Sequence, residues 1–197
     1  MARKYDMKRR AKRQEETRQR ITEATVELHQ ALGPAKTTIS AIAERAGVQR
    51  LTVYRHFPDE RALLSACSSH YVAANPLPDP GPWTQIPDPE NRLRRAFAET
   101  YDYHRRTEPM MTKVLRDAQE HAPTFEVIVP YLQHWDRARY ALVSGWGAED
   151  QRLKTLLAAL GHALDFRTWR SLVHEQGLTD EQAIELMVGM VRSLMRD

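Results

Sequence analysis

One stretch, TTISAIAERAGVQRLTVYRHF at residues 37–57, constrains the fold of this chain more than any other. Ile39, Ile42 and Ala43 recur at i, i+3 and i+4 and so share one face of a short helix. Thr38 is placed to cap that helix, its hydroxyl accepting from a backbone N–H of the first turn. Gly47 supplies the left-handed conformation at which a helix stops and the chain turns sharply. Val48 is the apolar plug after the turn. A second helix, Gln49 to His56, directs Val53 inward together with Phe57 just beyond it, four residues on. That leaves Arg50, Thr52, Tyr54, Arg55 and His56 outside. Two short helices across a tight turn, the second exposing basic and hydrogen-bonding groups, are what a DNA-reading helix-turn-helix requires. Three-helix units of this pattern also serve as protein-interaction modules. The alternative reading is therefore an all-α ligand-binding or scaffolding protein without DNA binding.

The chain has 29 Lys/Arg against 26 Asp/Glu, but the charge is unevenly placed. Residues 1–71 hold 14 basic and 8 acidic side chains, whereas residues 72–197 hold 15 and 18. The basic part is the part with the helix-turn-helix, and phosphate attraction is the simplest use of that polarity. No apolar run approaches the ~18 residues of a membrane span, and the basic N-terminus lacks the apolar stretch of a secretory signal. The single cysteine, Cys67, allows no intrachain disulfide and fits a reducing cytoplasm. Cys67 is expected as a small buried side chain on the helix after the turn motif, with a redox sensor as the alternative.

Several short runs, IAERAGV (42–48), TVYRHF (52–57) and DERALL (59–64), resemble the signature of the tetracycline-repressor (TetR) family of bacterial transcription regulators. The resemblance covers roughly residues 15–70. It implies a dimeric repressor, released from a palindromic double-stranded operator by a small-molecule effector. The expected DNA contacts are Thr38, Gln49, Arg50, Leu51, Thr52, Tyr54, Arg55, His56 and Arg61. Arg50 suits bidentate pairing with a guanine edge, and Thr52 and Leu51 suit a thymine methyl. Tyr54 and His56 occupy phosphate-holding positions of the family. Two residues depart from its pattern. Glu60 stands where the family often has a phosphate-binding lysine, so either Arg61 takes that contact or it is lost. Leu51 replaces a residue that is commonly small or proline.

Four segments are expected along the chain. Residues 1–14 form a basic disordered arm, either solvated or following the DNA backbone. Residues 15–71 form the DNA-binding domain: an amphipathic helix with Ile21, Ala24, Thr25, Leu28 and Leu32 on one stripe, ended by Gly33-Pro34, then the helix-turn-helix, then a fourth helix opened by Pro58-Asp59. Residues 72–90 carry six prolines and read as an extended linker, with Trp83 and Ile86 pinning it. Residues 91–197 form a helical ligand-binding and dimerisation domain. It is expected as one helix over Asn91–Arg106, a short helix opened by Pro109, a helix opened by Pro123 with Pro130 inside it, one long helix over 149–176, and a last helix opened by the capping box Thr179–Gln182. The long helix is apolar on two sides, through Leu160 and its neighbours on one and Ala159, Ala163 and Phe166 on the other. With the last helix it is suited to pair across a two-fold axis.

No catalytic elbow, phosphate-cradling glycine loop or metal-ligand spacing is present in the sequence, so neither an enzyme nor a cofactor is expected. A pocket for a small apolar effector is expected instead. Its candidate wall is Phe97, Tyr101, Met110, Met111, Phe125, Trp135, Phe166 and Trp169, aromatic and methionine side chains that adapt to an apolar guest. The same residues at helical spacing also read as plain core. His104 and Asp165 are the polar groups set within those apolar stripes, and buried polar groups require partners.

Overall fold

A computed structural model describes residues 2–196, with side chains from Met7 onward; Met1, Asp197 and the side chains of Arg3, Lys4 and Asp6 in the basic arm lie outside the described residues. The described residues are helical, without a strand, in keeping with the all-α expectation. The helices are α1 (Ala2–Ala31), α2 (Ile39–Arg45), α3 (Arg50–His56), α4 (Glu60–Ala74), α5 (Pro89–Asp117), α6 (Ala122–Ala141), α7 (Asp150–Leu164), α8 (Phe166–Arg170) and α9 (Asp180–Met195). They pack as two compact units: Met1–Pro76 with Pro109–Ile128, and Leu77–Glu108 with Val129–Asp197.

In the first unit, Ile21 and Ala24 of α1 meet Ile42 and Ala43 of α2, Val53 of α3, and Phe57 and Leu63 in one buried cluster. Leu28, Ile39, Val48 and Ala66 pack against its edge. The stripe expected along the first helix is therefore the roof of the helix-turn-helix. That helix starts earlier than expected. The segment 2–14, expected as a disordered arm, continues α1, whose residues 7–16 are all solvent-exposed. Long basic side chains are good helix formers, and an i→i+4 pair of Lys12 with Glu16 at 4.0 Å joins this extension to the packed part.

Residues 109–128, expected in the C-terminal domain, pack with the N-terminal helices. The chemistry is polar. The Ala35 N–H donates to Asp117 Oδ2 at 3.0 Å, Arg116 Nη2 donates to the Leu32 carbonyl at 3.0 Å, and Arg116 Nε reaches Asp117 Oδ1 at 2.7 Å. The turn between α1 and α2 is thus gripped by the end of α5. Pro109 does not open a helix; α5 runs through it. A proline inside a helix forfeits one ladder bond, and the burial of Thr107, Met110 and Met111 on either side offsets that loss.

The proline-rich stretch is shorter than expected as an extended linker. α4 continues to Ala74, Pro82–Gln85 makes a 3₁₀ turn, and Pro89 is the first residue of α5, a position where its missing N–H costs nothing. In the second unit Trp83 is fully buried and its indole N–H donates to Glu99 at 2.7 Å. The buried Arg92 guanidinium donates to the carbonyls of Ile86, Pro87 and Ser144. Trp83 and Arg92 together hold the stretch down.

The expected long helix over 149–176 is broken. At Asp165 the backbone is extended, with φ −72° and ψ 136°, and its carboxylate caps α8 by accepting from the Arg167 N–H at 2.7 Å. A π turn over Ser171–Glu175 then leads to Gly177 at φ +71°. Asp is a strong N-cap, and here capping overrides the apolar periodicity that runs through it. The capping box is present as expected: the Gln182 N–H donates to Thr179 Oγ1, and the Thr179 N–H to Gln182 Oε1.

Candidate nucleic-acid interface

The turn of the motif is built as its residues dictate. Thr38 Oγ1 accepts from the Ala41 N–H at 3.2 Å. Gly47 takes φ +64°, and the Val48 N–H returns to the Ala43 carbonyl at 2.9 Å. α3 then presents Arg50, Leu51, Tyr54 and Arg55 to solvent, with Thr52 and His56 half-buried and Val53 fully buried beneath. Leu51 is 76% exposed, an unusual cost for an isolated aliphatic side chain. Thr38 and Gln49 flank this face and are also exposed. Among the described residues, Arg50, Tyr54 and Arg55 carry no hydrogen bond or ion pair, so their polar groups are available.

Arg18 of α1 was not singled out by the sequence pattern, yet it sets the end of α3. Its Nη1 donates to the His56 carbonyl at 2.8 Å, and its guanidinium lies 4.3 Å from the Phe57 ring centroid. An arginine at the edge of an amphipathic helix reads as a solvated charge, and nothing in the one-dimensional pattern marks it as a strut. Partial burial, then the nearby Arg55 and Arg18 charges, hold the His56 pKa below its ordinary value. In the unbound protein this favours the neutral imidazole.

The start of α4 is differently disposed. Glu60 Oε1 lies 3.4 Å from His121 Nε2, and Arg61 Nε lies 3.4 Å from Glu126 Oε2. Arg61, the expected candidate for the phosphate contact, is thus paired with an acidic neighbour in its own unit, although it remains exposed.

The candidate effector residues divide. Phe97, Tyr101, His104, Trp135, Phe166 and Trp169 lie in the second unit, where the rings of the last five form one connected cluster and Phe97 stacks on Tyr101. Met110, Met111 and Phe125 belong to the first unit; the methionines are buried and Phe125 is exposed. Asp165 is exposed and occupied as the cap of α8, so it does not face the aromatic cluster as a buried charge. No group of His, Cys, Asp and Glu among the described residues is arranged to hold a metal ion, and no helix is long and apolar enough to cross a membrane. Cys67 is buried, 3.3 Å from His29 Nδ1, and burial pushes its thiol up to about 12, which suits packing and not redox sensing.

An all-α protein with a buried three-helix core and an exposed, unpaired second helix of the turn belongs to the helix-turn-helix class. Residues 21–67 match the model of "Bacterial regulatory proteins, tetR family". A stretch of 52 residues is 46% identical to the HTH-type transcriptional regulator SrpR of Pseudomonas putida, and a stretch of 42 residues is 43% identical to an HTH-type transcriptional regulator of Mycobacterium bovis. Those alignments take in 26% and 21% of this chain and 24% and 22% of the relatives' lengths. The likeness of fold extends further. A TetR-like transcriptional regulator from Rhodococcus sp. RHA1 superposes with a TM-score of 0.64 at 19% identity, over 92% of this chain and 97% of that one. A tetR-family regulator from Streptomyces coelicolor gives 0.60 at 18%, over 91% and 80%. Residues 21–67 thus resemble the DNA-binding region of tetR-family bacterial regulatory proteins, and the likeness of fold to solved regulators extends over about nine-tenths of the chain.

Proposed function

We propose that this protein is a cytoplasmic repressor that binds a palindromic double-stranded operator as a homodimer and is released by a small-molecule effector held among its C-terminal helices. The observation that carries DNA binding is the solvent face of α3, where Arg50, Tyr54 and Arg55 stand without intramolecular partners. Arg50 reads a guanine edge, Leu51 and Thr52 meet a thymine methyl, and Tyr54, His56, Thr38 and Gln49 position the backbone. Arg55 adds charge at the rim. Arg61 adds a phosphate contact only if it leaves Glu126. The exposed cations of the α1 extension supply sequence-independent attraction.

The pairing of Glu60 and Arg61 within the protein is the one observation that favours the rival, a ligand-binding protein without DNA affinity. Selection of DNA from a random pool by the purified full chain, followed by titration of the winning sequence at several salt concentrations, separates the two. A palindromic consensus with affinity falling steeply as salt rises is the expected result. Failure to enrich any sequence, with no salt-dependent binding, refutes the proposal.

A further inference from the structure

Five aromatic rings surround one imidazole in the second unit. The ring centroids of Trp135, Phe166, Trp169, Tyr103 and Tyr101 lie 5.3, 5.5, 5.8, 5.9 and 6.4 Å from that of His104. His104 is itself fully buried, and its Nε2 lies 3.0 Å from the Leu164 carbonyl oxygen. A carbonyl oxygen only accepts, so the proton belongs on Nε2 and Nδ1 presents a bare lone pair. That Nδ1 has no hydrogen-bond partner among the described residues. One helical turn earlier on the same face, Thr100 Oγ1 is also fully buried and also unpartnered. The contrast within α5 is direct, because Thr107 satisfies its hydroxyl on the Tyr103 carbonyl at 2.8 Å. Packing alone accounts for neither group: valine and phenylalanine would fill similar space without burying an unpaired polar atom.

We propose that Thr100 and His104 form the polar end of the effector site, and that its ligand is a flat aromatic molecule carrying a single hydrogen-bond donor, a phenolic O–H or aromatic N–H, directed at His104 Nδ1. This rests on the reading that an effector binds the C-terminal helices. Burial lowers the His104 pKa to about 4, against the opposing pull of the Leu164 carbonyl and Asp165, so the imidazole is neutral and accepting at neutral pH. An aromatic carboxylate would set acceptor oxygens against the Nδ1 lone pair, with only the Thr100 hydroxyl to donate and no cation at that polar end to offset the buried charge, and is disfavoured. The surrounding rings offer faces and edges to a planar guest. Trp135 is the only one of the five that is not buried, which makes it the rim past which a ligand enters.

The test uses three probes on the full chain, 1-naphthol, 1-methoxynaphthalene and 1-naphthoate, with binding followed by calorimetry. The expected result is a preference for naphthol of roughly tenfold or more over either analogue, the worth of one hydrogen bond. Thr100→Val and His104→Phe should each shrink that ratio, with thermal melting to check that both variants fold. Thr100→Val removes only an unpartnered oxygen from a near-isosteric side chain. Equal affinity for naphthol and methoxynaphthalene, no binding of any probe, or an unchanged ratio in both variants overturns the proposal. Operator binding of the ligand-free chain is measured in parallel. If it persists while naphthol fails, the ligand assignment falls and the regulator reading stands; donor-dependent naphthol binding by a chain without DNA affinity supports the site and refutes the regulator.

Discussion

His29 and His104 are buried histidines whose pKa values fall from 6.5 to about 4, in each case chiefly because burial penalises the charged ring. In the unfolded chain both take up a proton near 6.5; in the folded chain they do so only near 4. Between those values the unfolded state binds more protons, so stability rises with pH through the window. The contribution is complete above about pH 6.5 and is lost as pH falls toward 4, amounting to about 3 kcal/mol per histidine. Urea midpoints measured from pH 7 down to about 4.5 should therefore fall, and His104→Phe should flatten part of that slope. A midpoint independent of pH would show that these rings do not resist protonation. At the DNA surface the corresponding residue is Arg50. Arg50→Ala should weaken binding to the selected operator by about 1–3 kcal/mol and relax preference at one base position in each half-site. Tyr54→Phe should weaken all sequences alike, because a phosphate contact carries no base identity. Competition among single-base operator variants distinguishes the two patterns.

At the scale of elements, legibility followed locality. The helix-turn-helix was readable because its cap, its turn and its apolar spacing all lie within about twenty residues, and local propensity agrees there with tertiary packing. The break at Asp165 was hidden because its apolar neighbours continue a helical period, whereas a capping carboxylate decides locally to end it. The continuity of α5 through Pro109 was hidden for the opposite reason, since burial around the proline overrides its helix-breaking tendency. The grip of Arg116 and Asp117 on the α1–α2 turn links residues more than eighty positions apart, and no periodicity encodes it. Of the expected effector wall, the aromatic residues of the second unit were readable as a group because helical spacing aligned them; Phe125 and Asp165 shared the spacing but not the burial. The gripped turn supplies a prediction. Gly33 has φ +96°, and a Cβ there would collide with Asp117 Oδ2 and Arg116 Nη2. Gly33→Ala should lower stability by on the order of 2–4 kcal/mol, more than backbone strain alone, whereas Asp117→Asn, which keeps an acceptor for the Ala35 N–H, should cost about 1 kcal/mol. Chemical denaturation of the two variants gives the order; equal losses would mean that the collision is relieved elsewhere.

For the whole molecule, the proposed homodimer depends on a surface that one protomer leaves uncovered. α9 buries Ala183, Met187, Val188 and Val191 within its own unit, and it packs on α7. Its other flank carries Leu186, Met190 and Leu194 at intervals of four residues, with 43%, 47% and 45% of their surfaces exposed. Leu160, expected on a face open to either core or partner, is fully buried in the protomer and so belongs to the core. A repeated apolar flank on a helix end is costly in water and is suited to cover by its own copy across a two-fold axis. Gly189 lies on the same stretch with only the far end of Arg192 near its Cβ position, which leaves room for close helix approach. Met190→Glu should accordingly convert a dimer into monomers without disturbing the fold, because the substituted side chain is already solvent-facing. Two half-sites read by separate monomers lose the benefit of linkage, an effective concentration in the millimolar range, so full-operator affinity should fall by about a hundredfold or more. Sedimentation gives the mass, helical circular dichroism checks the fold, and titration gives the affinity. A Met190→Glu chain that sediments as a folded monomer yet binds the full operator as tightly as the parent would separate DNA binding from dimerisation and remove the two-fold operator from the proposal.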